Sequence, residues 1–195
     1  MNQHLDEDWS LIEKFERGDA TAFQEIFNKH KGRVVNLSYR FVHSQEAAED
    51  IAQEVFIKVY EKRLKVDSKV KFTTWLYRVT TNASLDFIRK NKFVVRSVDA
   101  EIADSSGEKT DFLERVGDPK SPSPRETVQQ EELQTLLRTE IDGLPEELRV
   151  PIRLYQFENL PYEEIASILK ITTKAVERRL YHARERLRDK LSKYL

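Results

Sequence analysis

Cysteine is absent from all 195 residues, which excludes disulfides, thiolate metal sites and cysteine nucleophiles and suits a reducing compartment. Glycine and proline are scarce, at five and six, so a collagen or a turn-rich β-barrel is a poor fit. No apolar run approaches the roughly 18 residues that a membrane span needs. The N-terminus is acidic at Asp6-Glu7-Asp8, where a signal peptide would be basic and then apolar, and the expected location is the cytoplasm. An excess of either charge is missing too: 33 Lys and Arg against 34 Asp and Glu leave a formal charge of -1. Only the distribution of charge can therefore point to a partner. The usual signs of catalysis are also lacking. There is no Gly-rich phosphate loop, His4, His30, His43 and His182 are scattered without ligand spacing, and Glu163 and Glu164 point to different helix faces. The chain is expected not to be an enzyme and to carry neither metal nor cofactor.

What is present is helical periodicity, which predicts an all-α fold. From Leu11 to about Asn91 apolar residues recur at helical spacing, with breaks at Gly18-Asp19, Gly32, His43-Ser44-Gln45 and Val66-Asp67-Ser68. Between Arg96 and Pro124 the character changes to Ser-, Gly- and Pro-rich chain in which seven carboxylates face four cations. A flexible acidic linker fits that composition. A second helical block follows. The predicted organisation is a first domain over residues 1–95, a linker over 96–126 and a second domain over 127–195. No internal repeat relates the two blocks.

The second block has a sharp local pattern. Gly143-Leu144-Pro145-Glu146-Glu147 suits a helix start, although Pro151 requires that helix to begin late or to kink. Asn159-Leu160-Pro161 punctuates the chain. Tyr162, Ile165, Ala166 and Leu169 then share one face of a short helix, Lys170-Ile171-Thr172 makes a turn, and Thr173 can cap the next helix. This is the grammar of a helix-turn-helix. In the last helix Val176, Leu180, Ala183, Leu187 and Leu191 form a core stripe. From Thr173 onward eight Lys and Arg residues stand against three acids, a local basic excess suited to phosphate. The N-terminal half of a recognition helix meets base edges, so Lys174, Glu177, Arg178, Tyr181 and His182 are placed to read sequence. A solvated charged helix is the plainer alternative.

In the first block, Ile51, Val55 and Val59 face inward from a helix whose outer faces carry Asp50, Gln53, Glu54 and Glu61; spacing alone assigns that acidic surface no partner. Further on, Leu76, Val79, Ala83 and Phe87 make an apolar stripe while Trp75, Arg78, Asn82 and Arg89 fall on a different face. Just upstream, Lys62, Arg63, Lys65, Lys69 and Lys71 are opposed only by Asp67. Lysines beside an exposed ring suit a single strand, whose unstacked bases lie on aromatics. Trp75 as a core residue is the competing reading.

These segments together resemble the extracytoplasmic-function sigma factors of bacterial RNA polymerase, the sigma-70 family, over nearly the whole chain. The resemblance rests on Ala48-Glu49-Asp50-Ile51-Ala52-Gln53-Glu54-Val55-Phe56, on Phe72-Thr73-Thr74-Trp75-Leu76-Tyr77-Arg78 with Asn82, and on Leu144-Pro145-Glu146 followed by Tyr162-Glu163-Glu164-Ile165-Ala166. It implies a first domain that binds core polymerase and opens the minus-10 element, and a second that reads the minus-35 element as duplex. By position, Asp50, Gln53, Glu54 and Phe56 would dock on the polymerase clamp. Trp75, Arg78 and Asn82 match the helix that engages the minus-10 element, with the segment from Lys62 to Lys71, including Lys65 and Lys69, matching a loop that captures an extruded base; Arg89 would meet phosphate. Thr173, Lys174, Glu177, Arg178, Tyr181 and His182 match the face that reads the minus-35 element, with Arg149 on a phosphate. The linker would occupy the RNA path of polymerase or act as a solvated tether. An anti-sigma protein is an expected partner by family habit. Lys170 departs from the pattern, because glycine is usual at that turn; its backbone must take a positive φ or adopt another turn. A plain duplex-binding regulator, acting without polymerase, is the rival reading.

Overall fold

The computed structural model describes residues 6–61, 70–98 and 135–192, with side chains through residue 91 in the second stretch. Lys62, Lys65, Lys69, most of the expected linker and the start of the second domain lie outside the described residues. Among the described residues the chain is helical and contains no strand. The elements are α1 (Glu7–Glu16), α2 (Ala20–Val42), α3 (Gln45–Tyr60), α4 (Phe72–Val98), α5 (described over 135–142), α6 (Glu146–Glu158), α7 (Tyr162–Leu169) and α8 (Thr173–Leu191). They form two compact units. The first holds the described residues through 98 together with Glu163–Thr172; the second holds the described residues from 135 through Tyr162 and from Thr173 onward.

Short polar side chains set the helix boundaries of the first unit. Asp6, Asp19 and Ser44 cap α1, α2 and α3 by accepting the amides of Asp8, Thr21 and Ala47, which satisfies first-turn donors that have no partner inside the helix. Gly18 turns the chain between α1 and α2 at φ 106, and His43 ends α2 at φ 54. Gly32 does not break the chain as expected: α2 runs straight through it. A single glycine costs a helix only about 1 kcal/mol, and the buried Ile26, Val34, Leu37 and Phe41 on the same helix outweigh that.

The core of this unit gathers Trp9, Ile12, Ile26, Val34, Ile51, Val55, Phe56, Val59, Phe72, Trp75 and Leu76. On α3 the inward set is as periodicity predicts, with Ile51, Val55 and Val59 all buried. On α4 the buried stripe is wider than expected, because Trp75 joins Leu76 and Ala83. Two buried hydroxyls of α4 are satisfied locally: Thr80 Oγ1 donates to the Leu76 carbonyl and Ser84 Oγ to the Thr80 carbonyl, both at 2.9 Å, which lets polar side chains enter the core at these positions.

In the second unit α6 begins directly after Pro145 and continues through Pro151. The predicted start is therefore found, whereas a late start is not. Asn159 closes the helix at φ 51 and returns its amide to the Leu154 carbonyl, the left-handed cap that Asn tolerates best after Gly. Arg153, only 4% exposed, pairs with Asp142. Burial lowers the pKa of this guanidinium and the Asp142 carboxylate opposes the shift, so the ion pair keeps a desolvated charge in place. Lys190 reaches Glu140 at 2.6 Å, tying α8 to α5.

Candidate nucleic-acid and polymerase interfaces

The stripe of α8 is observed at Val176, Leu180, Ala183 and Leu187, all buried, with Leu191 only partly so. Inward positions at intervals of three and four leave the intervening residues outside. Thr173, Lys174, Glu177, Arg178, Tyr181 and His182 are all exposed, Tyr181 at 57%. The rings of Tyr181 and His182 meet edge to face at 5.5 Å. One helix therefore presents cationic, acidic and aromatic groups side by side, the side-chain types that read base edges. Arg184 is engaged elsewhere: its guanidinium lies 4.9 Å from the Tyr155 ring, a cation–π contact. Thr173 is the first residue of α8 and so stands one place inside the capping position expected for it. Arg149 is half-buried and donates to the Asp142 carbonyl at 3.0 Å.

The turn before α8 resolves the choice left by Lys170. Its φ is 54, and the Ile171 amide closes on the Ala166 carbonyl at 3.0 Å. A left-handed non-glycine residue costs about 1 to 2 kcal/mol.

On α3, Asp50, Gln53 and Glu54 are exposed on neighbouring turns, and Glu54 pairs with Lys58 at 2.7 Å. Phe56 is not brought together with them. It is 3% exposed and packs edge to face on Phe27 at 4.9 Å, because its position falls on the inward side of the helix. Sequence reasoning passed over two neighbours: Ile57 and Tyr60 are large apolar residues left 47% and 58% exposed beside the acidic set. Their signal was a break in the polar outer face.

On α4 the expected set divides. Asn82 and Arg89 are exposed, Arg89 with Asp86 at 3.3 Å. Trp75 is 7% exposed, 6.3 Å from the Trp9 ring and 5.7 Å from Phe72; its position matches the core reading weighed above. Lys71 bonds Glu164 at 2.7 Å, and that carboxylate raises its pKa. Arg78 donates to the Ser167 carbonyl at 2.6 Å. Among the described residues no cluster of acids and histidines could hold a metal, and no helix is long and apolar enough to cross a membrane.

Comparison with known proteins adds three kinds of likeness. Family models described as Sigma-70 region 2 and Sigma-70, region 4 match residues 26–94 and 134–187. The ECF RNA polymerase sigma factor SigW of Bacillus subtilis is 37% identical over 180 residues, covering 92% of this chain and 94% of that protein. The RNA polymerase sigma-H factor of Pseudomonas aeruginosa is 34% identical over 181 residues, covering 92% and 91%. Among solved structures, CnrH in complex with the cytosolic domain of CnrY aligns with a TM-score of 0.65 at 20% identity, over 95% of this chain and 97% of that one, a likeness of fold.

Proposed function

The chain belongs to the sigma-70 family as an extracytoplasmic-function RNA polymerase sigma factor, and from that premise we propose how its two predicted domains divide the work of initiation. A sigma factor directs core polymerase to promoters. In the proposed division, residues 1–95 bind core and hold the opened minus-10 strand, and residues 127–195 read the minus-35 duplex.

The acidic face of Asp50, Gln53 and Glu54, with Ile57 beside it, docks on the core enzyme, and Phe56 supports that face from within. Lys174, Glu177, Arg178, Tyr181 and His182 read the major groove. Lys71, Arg78, Asn82 and Arg89, with Lys65 and Lys69, meet the unpaired strand. Lys71 and Arg78 exchange Glu164 and Ser167 for DNA as they do so. Trp75 acts mainly by fixing α4. Extruding a base costs a few kcal/mol of unstacking, which strand contacts must offset; the protein holds the open state and makes or breaks no bond. The chain works in the cytoplasm, and an anti-sigma protein is its expected inhibitor.

The observation that carries the reading is the order of two family matches, at 26–94 and 134–187, in a chain whose α8 exposes Lys174, Glu177, Arg178, Tyr181 and His182 together. Run-off transcription with purified core polymerase on a promoter library tests it. Promoter-specific transcripts that require the chain are expected, and none from active core would overturn it. Tight specific duplex binding by the free chain, unaffected by core, would favour the plain regulator.

A further inference from the structure

The family match begins at residue 26, so α1 stands outside it. Yet α1 fixes how the chain enters α4. Asp6 uses both carboxylate oxygens: Oδ1 accepts the Asp8 amide at 3.2 Å and Oδ2 accepts the Phe72 amide at 2.6 Å. One side chain thus serves the first turns of two helices. A first-turn amide ordinarily finds a local cap or water; Phe72 instead depends on a residue 66 positions away. Trp9 adds a second tie, its indole Nε1 donating to the Val70 carbonyl at 2.7 Å. Residues on both sides of Lys71 are therefore held by the N-terminal segment. The Trp9 ring meets Phe72 edge-on at 5.1 Å. Asp8 anchors α1 in turn by accepting from Lys29 at 2.6 Å and meeting His30 Nε2 at 2.9 Å.

We propose that α1 is a positioning element for promoter opening, in which Asp6 and Trp9 set the register that presents Lys71 and the exposed face of α4 to the unpaired strand. This rests on the minus-10 reading given above. Neither residue touches DNA. Ordering the entry to α4 only when a strand arrives would subtract from binding; α1 orders it beforehand, which is preorganisation of the contacts that follow.

Two substitutions separate position from packing. Trp9→Phe keeps an aromatic ring and deletes the indole donor. Asp6→Ser keeps a cap for α1 but lacks the second oxygen that serves Phe72. Each full-length variant is assayed with core polymerase on a duplex selected from a randomised library by the wild-type holoenzyme, reading permanganate-reactive thymines at saturating chain, core affinity, and amide exchange across residues 70–75. Faster exchange there is expected in both variants while core affinity stays within about twofold, with a roughly two- to tenfold loss of opening in Trp9→Phe, the net worth of one neutral hydrogen bond, and a roughly tenfold or greater loss in Asp6→Ser, where the lost acceptor is a carboxylate. Opening equal to wild type in both variants would overturn the proposal, as would a loss matched by an equal loss of core affinity. A wild-type holoenzyme that transcribes but leaves no thymine reactive would overturn the minus-10 reading itself.

Discussion

His30 lies against Asp8 with Nε2 2.9 Å from Oδ2, and the imidazole is 1% exposed. Burial lowers its pKa below the ordinary 6.5, overriding the pull of Asp8, with Lys29 and Arg33 adding to the fall. The neutral ring donates from Nε2 to the carboxylate, and Nδ1 is buried without a hydrogen-bond partner. The unfolded chain therefore binds a proton at His30 before the folded chain does, so this contribution to stability is full above the unfolded value and is lost as pH falls through the folded one. Urea unfolding should show stability falling below about pH 6.5 with a slope of up to about 1.4 kcal/mol per pH unit. His30→Gln should flatten that slope. Equal slopes would mean that His30 takes up its proton as readily in the core as in the unfolded chain.

Asp142 is the counter-charge of the buried Arg153. Removing it strands a desolvated guanidinium, a change that costs about 3 kcal/mol or more. Asp142→Ala should therefore lower the denaturation midpoint sharply, whereas Arg153→Met with Asp142→Ala should recover much of the loss. A double variant no more stable than the single one would show that packing, rather than the stranded charge, sets the penalty.

Lys170 holds φ 54 without the freedom of glycine. Lys170→Gly should stabilise the fold by about 1 kcal/mol, the strain of one left-handed residue. Thermal unfolding tests this, and a lower midpoint would show that the lysine side chain contributes more than its backbone costs.

Arg178 is exposed near the start of the face that α8 presents. Arg178→Ala should weaken minus-35 duplex binding by the holoenzyme by about 1 to 3 kcal/mol and relax preference at one base pair. Uniform weakening across all sequences would instead assign Arg178 to phosphate.

How much of this was legible in the sequence depends on the kind of signal. Periodicity located the buried stripes of α3 and α8, because an amphipathic helix must repeat its apolar positions every three or four residues. Family position gave Phe56 and Trp75 interface roles, and both side chains are buried, the placement that the competing core reading gave Trp75. Helix phase puts Phe56 next to Val55 and Trp75 next to Leu76 on the inward arc. Asp6 and Trp9 passed unnoticed as functional residues, since their partners Phe72 and Val70 are distant in sequence and no local pattern encodes a tertiary bond.

The burial of Trp75 changes what its substitution can reveal. Truncating a buried tryptophan to alanine costs about 3 to 5 kcal/mol, so Trp75→Ala should impair promoter opening and stability together, and its opening defect alone would say nothing about a stacked base. Asn82 offers the cleaner probe, because it is exposed on the same helix. Asn82→Ala should leave stability within about 0.5 kcal/mol. It should also leave core binding intact while reducing permanganate reactivity at unpaired thymines. Opening at the wild-type level in Asn82→Ala would remove this face of α4 from the strand-binding surface and leave the task to Lys71 and the lysines that precede it.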